Sequence, residues 1–258
     1  VVAALAVTTA CAVVGGGLLV QSLSDGAAAP APSPVGAGLH HEKGRPPDAT
    51  RPFARPFDRA AHSTTDPASI WVIVNKTHPI EPADFRPEIA IVRGYQVATS
   101  AAQPLEELLA ASDAEGLGFK IASAFRSYDY QLGVHADLVA TRGAEEADRV
   151  SARAGYSEHQ TGLAVDLVTP ADPGCDFEEC FADTPAGRWL AREAWRFGFV
   201  IRYQPQTTQI TGYSPEPWHL RFVGRELAEE LHRTGVTTLE EFFDIAGGDY
   251  PAEQPDEH

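Results

Sequence analysis

Two spacings of apolar residues divide the chain into elements. Over residues 104–115, Leu105, Leu108, Leu109 and Ser112 share one helical face, and Gly116 and Gly118 end the run. Residues 119–124 switch to a period of two, with Phe119, Ile121 and Ser123 on one side, and predict a strand. Helices are expected over 128–141 and 145–154, then a strand over 162–167. Thr184 before Pro185 marks a helix start, with threonine as N-cap and proline at the first helical position. That helix, over 185–197, buries Trp189 and Leu190 and closes at Gly198. Residues 199–203 and 218–223 read as strands and 224–233 as a helix, and Thr238-Leu-Glu-Glu241 is a capping box for a last short helix. Upstream, Ile70-Trp-Val-Ile-Val74 reads as a short strand, and residues 79–87 carry too many prolines for a helix. Strands and helices follow one another without a βαβ rhythm. The expected class is α+β, a small and mostly antiparallel sheet with flanking helices.

Outside these elements the pattern fails in two places. Residues 1–20, VVAALAVTTACAVVGGGLLV, carry no charge and just reach the length of a membrane span. Residues 1–23 are therefore expected to be a signal peptide or a membrane anchor. Residues 24–65 are rich in alanine and proline and show no period, which predicts an extended, semi-stiff linker. His40 and His41 in it are expected to be solvated. The folded domain is placed at 66–246, with a loose polar tail over 247–258.

The chain has 258 residues, 36 acidic against 20 basic, a formal net charge of −16. Binding to nucleic acid rests on Lys and Arg neutralising phosphates, so no nucleic-acid partner is expected. Of three cysteines, Cys175 and Cys180 have four residues between them and no second Cys/His pair nearby. A loop disulfide of an exported protein is the preferred reading, and free thiols of a cytosolic one the alternative.

The chemistry concentrates in two stretches. Ser157-Glu-His-Gln-Thr-Gly-Leu-Ala-Val-Asp166 sets His159 seven residues before Asp166, with Gly162 between them to let the chain bend. Asp166 sits in an apolar strand, where a carboxylate needs a metal ion, a buried arginine or an outward turn. About fifty residues on, Glu216-Pro-Trp-His-Leu-Arg221 adds a second imidazole, His219, with Arg221 on its strand face. Two imidazoles, one carboxylate ligand and one spare carboxylate are the inventory of a catalytic zinc site. Pro217 cannot donate to a ladder, so the strand is expected to begin at or after it, leaving Glu216 on the entry loop as a candidate general base. A strand period of two does not by itself put Glu216 and His219 on one face. Arg126 follows a strand end, and its planar guanidinium suits either a substrate carboxylate or a developing oxyanion. Ser157, Tyr128 and Gln131 are candidate substrate contacts. Read singly, each of these residues also fits a plain structural or surface role.

The motifs Ser157-x-His159-x-x-Gly162-x-Ala164-x-Asp166 and Glu216-x-Trp218-His219-x-Arg221 resemble those of VanY-type D-alanyl-D-alanine carboxypeptidases, zinc peptidases of the group that includes the hedgehog signalling domain. Val74-Asn75-Lys76 and Ala124-Phe-Arg-Ser-Tyr-x-x-Gln131 resemble further segments of that family, with Ala-Phe where it has Gly-Tyr. The resemblance runs from about Ile70 to Leu231. It implies the hedgehog/DD-peptidase-like fold, zinc held by His159, Asp166 and His219, Glu216 as base, and Arg126 on the substrate or transition state. The implied substrate is the peptidoglycan stem peptide. The apolar segment 1–23 and the linker are expected to place the domain outside the cytoplasmic membrane, anchored or secreted, and a monomer is expected. L,D-carboxypeptidase, cross-link endopeptidase and non-catalytic zinc-binding domain remain as alternatives.

Overall fold

The computed structural model describes residues 56–251. Its centre is a four-stranded sheet of β3 (Lys120–Ser123), β4 (Ala164–Val168), β5 (Phe199–Tyr203) and β6 (Glu216–Phe222), in the order β3-β4-β6-β5 with every neighbouring pair antiparallel. A hairpin of β1 (Ile89–Val92) and β2 (Tyr95–Ala98) precedes it. The helices are α1 (Thr99–Ala114), α2 (Tyr128–Arg142), α3 (Ala144–Val150), α4 (Pro185–Glu193), α5 (Thr208–Thr211), α6 (Arg225–Thr234) and α7 (Leu239–Phe243). This is the α+β architecture expected from the alternation.

The sheet has two unlike faces, because successive side chains of a strand point to opposite sides. Val165 and Leu167 of β4, Leu220 and Phe222 of β6 and Ile121 of β3 enter the main core with Leu105, Leu108 and Leu109 of α1 and Trp189 and Leu190 of α4. The alternate positions carry Asp166, His219 and Arg221, with Asp166 paired to His219 and Ala164 to Arg221 across the ladder. The apolar face anchors the strands, and the polar face becomes the site. A second cluster packs Leu227, Ala228 and Leu231 of α6 and Leu239 and Phe242 of α7 around Trp71.

Several boundaries differ from expectation. Residues 70–74 form no strand. Trp71, Val72, Ile73 and Val74 are all buried, so no alternation exists to select a sheet face. The segment is held instead by Arg221, whose Nη2 donates to the carbonyls of Ile70 (3.2 Å) and Val72 (2.8 Å). Helix α1 starts at Thr99 and carries Pro104 inside it, and a hairpin not expected from the alternation precedes it. Its turn uses Arg93 (φ 48°) and Gly94 (φ 92°), the left-handed pair that a tight hairpin needs. α3 ends at Val150, and α4 gives way to a 3-10 turn over Ala194–Phe197.

Strand β6 begins at Glu216, before Pro217, not after it. The register explains this. Ile201 faces Leu220, yet Tyr203 faces Glu216, so β6 bulges between the two pairs, and a bulge tolerates proline within a strand.

Packing extends past 66–246 at both ends. Phe57 lies 5.5 Å from the rings of both Trp71 and Phe242. In the segment read as a loose tail, Asp249 pairs with the buried Lys76 at 2.9 Å, and the Tyr250 hydroxyl accepts from Arg153 N at 2.7 Å. The signal or anchor segment 1–23 and all but the end of the linker lie outside the described residues, as do residues 252–258. Among the described residues no helix is long and apolar enough to cross a membrane.

Candidate metal centre and active site

A 3-10 turn, Glu158–Thr161, joins α3 to β4 and carries His159. Ser157 caps it, its Oγ accepting from His159 N at 3.3 Å. The turn ends at Gly162, left-handed at φ 68°. Its carbonyl accepts from Ala98 N at 2.8 Å, and a Cβ on Gly162 would lie 2.7 Å from that nitrogen. Only glycine meets both demands, and the resulting bend brings His159 back over Asp166.

His159, Asp166 and His219 meet in one place. His159 Nε2 is 3.2 Å from Asp166 Oδ2, and His219 Nδ1 is 3.1 Å from Asp166 Oδ1. One ligand atom from each residue lies within 4.8 Å of the others, and all three residues are buried. The ring nitrogens are already assigned by their outer partners. The carbonyl of Ala124 only accepts, so His159 Nδ1, at 2.7 Å, carries the proton and Nε2 is left as the metal donor. On His219, Nε2 donates to Glu158 Oε2 at 3.3 Å, which leaves Nδ1 facing the cluster. Two imidazoles and a carboxylate with their lone pairs convergent form a three-ligand zinc donor set.

Charge follows geometry. Burial pushes the Asp166 carboxyl up, but the two histidines outweigh it and hold it well below the usual range. Burial lowers His159 to about 4, with Arg126 adding to the effect against Asp166. His219 goes the other way, to about 9, because bonds to Asp166 and Glu158 overcome its burial. Without metal, a proton on His219 therefore does part of the metal's electrostatic work.

That has a measurable consequence. The folded pKa of His219 lies above its unfolded value, so its contribution is complete below pH 6.5 and is lost as pH rises through about 9. Protein held in chelator is expected to lose on the order of 3 kcal/mol of stability across that window. Zinc, which replaces the proton, should flatten the slope. Urea melts at stepped pH, with and without zinc, provide the check; a flat profile in chelator would show that His219 is not protonated there.

Glu216 and Arg126 flank the cluster. The bulge in β6 turns Glu216 toward the site, against the strand parity, and puts its Oε2 3.6 Å from His219 Nδ1. Burial pushes its carboxyl up to about 7, aided by Asp166 and opposed by His219. Arg126 enters from the end of β3, its Nη1 2.9 Å from Ser123 Oγ and 3.7 Å from Asp166 Oδ2. Its Nε is buried and has no hydrogen-bond partner, while the side chain as a whole lines the cleft. Arg126, Ser157, His159, Asp166, Glu216 and His219 all line one cavity of about 630 Å³. A larger apolar groove of about 760 Å³, along β5 and α6, contains none of the ligands and offers no comparable chemistry.

Two expected substrate contacts do not reach this cavity. Gln131 is fully buried and donates from Nε2 to Ala152 O at 2.6 Å and to Ser151 Oγ at 3.1 Å, which ties α2 to the end of α3. Tyr128 opens α2, and its ring packs beside Gly155. Both orient the walls of the site; neither is placed to touch substrate.

The sequence reading missed Glu158. Its Oε1 accepts from Arg221 Nη1 (2.8 Å) and Arg202 Nε (2.9 Å), while Oε2 takes His219. Arg202 continues to Glu240 at 2.5 Å, and Glu240 to Asn75 Nδ2 at 3.0 Å. Glu158, Arg202, Arg221 and Glu240 are each at most 2% exposed, and their charges cancel. Burial opposes the Glu158 carboxylate, but the two arginines hold it ionised.

Comparison with known proteins agrees with this geometry. The family model described as VanY, D-alanyl-D-alanine carboxypeptidase, matches residues 94–225. A putative carboxypeptidase of Bacillus subtilis, YodJ, is 35% identical over 190 residues, covering 69% of this chain and 68% of its own. Among solved structures, the LD-carboxypeptidase LdcB superposes with a TM-score of 0.64 at 33% identity, covering 70% of this chain and 89% of its own. A mutant of the vancomycin-resistance D,D-pentapeptidase VanY, solved with Zn(II), gives 0.57 at 33% identity, with 66% and 97% covered. The shared fold, the convergent His/Asp/His donors and the flanking Glu216 and Arg126 lead to one conclusion: the chain belongs to the VanY D-alanyl-D-alanine carboxypeptidase family and is a metallopeptidase.

Proposed function

We propose that the chain is a zinc-dependent D-alanyl-D-alanine carboxypeptidase that removes the terminal D-alanine from peptidoglycan stem peptides. The observation that carries this reading is the pairing of a carboxylate whose pKa is raised by burial, Glu216, with a guanidinium, Arg126, both lining the one cavity that holds the metal cluster. A carboxypeptidase must hold a free carboxylate, stabilise an oxyanion and move one proton twice. The Arg126 guanidinium lines the cavity and is available for the first or second task. Glu216, with a pKa near 7, takes a proton from the attacking water and returns it to the leaving amine. His159, Asp166 and His219 would hold zinc, which would supply a Lewis acid for water activation and carbonyl polarisation. Ser157 and Ala124 keep His159 in place, and Glu158 keeps His219.

The likeness to an LD-carboxypeptidase keeps a second cut in view, after the L-residue of a tetrapeptide. Incubating the zinc-loaded protein with pentapeptide and tetrapeptide muropeptides, and weighing the products, separates the two. Loss of one alanine from the pentapeptide alone is expected. Loss from the tetrapeptide alone would replace the D,D reading with the L,D one.

The same proposal places the protein on the outer side of the cytoplasmic membrane, anchored or secreted, acting as a monomer. The Cys175–Cys180 disulfide supports this, since such bonds persist in oxidising compartments. The uncharged run at residues 1–20 supports it from the sequence.

A further inference from the structure

Between β4 and α4 the chain makes a loop closed by the Cys175–Cys180 disulfide. Asp176 Oδ1 accepts from Thr169 N at 3.2 Å and fastens the loop to the end of β4, the strand that carries Asp166. Within the closed turn Phe177 adopts φ 58°, a left-handed conformation costly for a bulky side chain. Its ring is not returned to the core. It stays 50% exposed and packs edge-on against Trp218, at 5.8 Å, beside the ligand His219. Five large apolar side chains are exposed among the described residues, and of these Phe177 alone lines the active-site cavity. A disulfide, a side-chain cap and a strained backbone together present one aromatic ring to the cleft.

Sheet topology gives that ring its place relative to substrate. Ser123, at the C-terminal end of β3, pairs with Asp166, and Lys120 pairs with Val168. Arg126 therefore enters from the end where β3 finishes, and the disulfide loop leaves from the opposite end, where β4 finishes. A peptide whose terminal carboxylate is held at Arg126 must run across the metal cluster toward Phe177. The part that arrives there lies on the N-terminal side of the scissile bond.

We propose that the Cys175–Cys180 loop is a specificity element, in which Phe177 forms an apolar platform for an aliphatic side chain preceding the D-alanyl-D-alanine unit. This rests on the carboxypeptidase reading with Arg126 as the carboxylate clamp. The platform needs the disulfide, because the cross-link is what keeps Phe177 in its exposed left-handed turn.

The test separates binding from turnover. Zinc-loaded Glu216→Gln protein is titrated calorimetrically with two probes, Nα-acetyl-L-lysyl-D-alanyl-D-alanine and Nα-acetyl-glycyl-D-alanyl-D-alanine. The lysyl peptide is expected to bind roughly tenfold tighter, the scale of losing one aromatic contact. Adding Phe177→Ala, or Cys175→Ser with Cys180→Ser, should abolish that preference while leaving zinc content and glycyl-peptide affinity unchanged. A preference that survives both variants, or is absent from the parent, overturns the platform. Wild-type protein that releases no D-alanine from either probe sinks the proposed activity instead; failure of both peptides to bind sinks both.

Discussion

Zinc-loaded Glu216→Gln protein is expected to release D-alanine about 10²–10⁴-fold more slowly than wild type in kcat, with its zinc content unchanged. Glutamine keeps the shape of the side chain and removes its ability to accept and return a proton. Because Glu216 lies beside the three-ligand set and outside it, the metal should stay. The neighbours set the sign of the pH effect. Burial and the Asp166 charge raise the Glu216 carboxyl, so a base acting in its ionised form loses activity as pH falls. The variant should lose this acidic limb of the kcat/KM profile along with the rate. Wild-type turnover in a folded, zinc-loaded Glu216→Gln protein would remove Glu216 from the mechanism.

The second large effect falls on a residue that touches no substrate. Glu158→Gln removes the charge that neutralises Arg202 and Arg221, both nearly inaccessible to solvent. Breaking one partner of a buried ionic network costs about 3–5 kcal/mol, because the remaining charges stay desolvated. The variant also loses the carboxylate that accepts from His219 Nε2 and holds Nδ1 toward the metal. A partner of this kind is worth roughly 10–100-fold in metal affinity. Chelator competition should show that loss in the folded variant, and denaturant unfolding in excess zinc should show the stability loss. Zinc affinity equal to wild type would mean that Glu158 is structural only.

The two effects illustrate how unevenly the site could be read in advance. The ligands were accessible because each stands in a local pattern with its own chemical anomaly: Asp166 in an apolar strand, His159 across a glycine turn, His219 between two apolar residues. Period-two alternation correctly put Arg221 on the face of His219. Glu158 had no such mark. Its partners lie 44 and 63 residues away, and an acid beside a histidine reads as surface until the arginines are seen to close over it. Gln131 erred in the other direction. It reads as a candidate polar contact for substrate, but its amide satisfies the carbonyl of Ala152.

Strand and helix types could be assigned wherever apolar and polar residues alternate with the period of the element, as in β6, whose polar face is buried as well. Residues 71–74 are all buried, so the apolar run over 70–74 looked like a strand and is not one. Helix α1 hid its first turn behind Pro104, and β6 hid its start behind Pro217. In both cases the local rule for proline gave way to tertiary packing and a bulge.

The His159-to-Asp166 stretch and the Glu216-to-Arg221 stretch carry, as residue types at fixed spacing, the candidate metal donors and the candidate base, and hence the class of chemistry. Local bonding suffices for this, because the glycine turn and the strand period are properties of a few adjacent residues. Folding was needed to turn Glu216 inward through the β6 bulge, to assign the ring nitrogens of His159 and His219 through Ala124 and Glu158, and to set Phe177 across the cleft from Arg126. These depend on strand register and on partners far away in the chain, and register is a property of the packed sheet that no short stretch of residues contains.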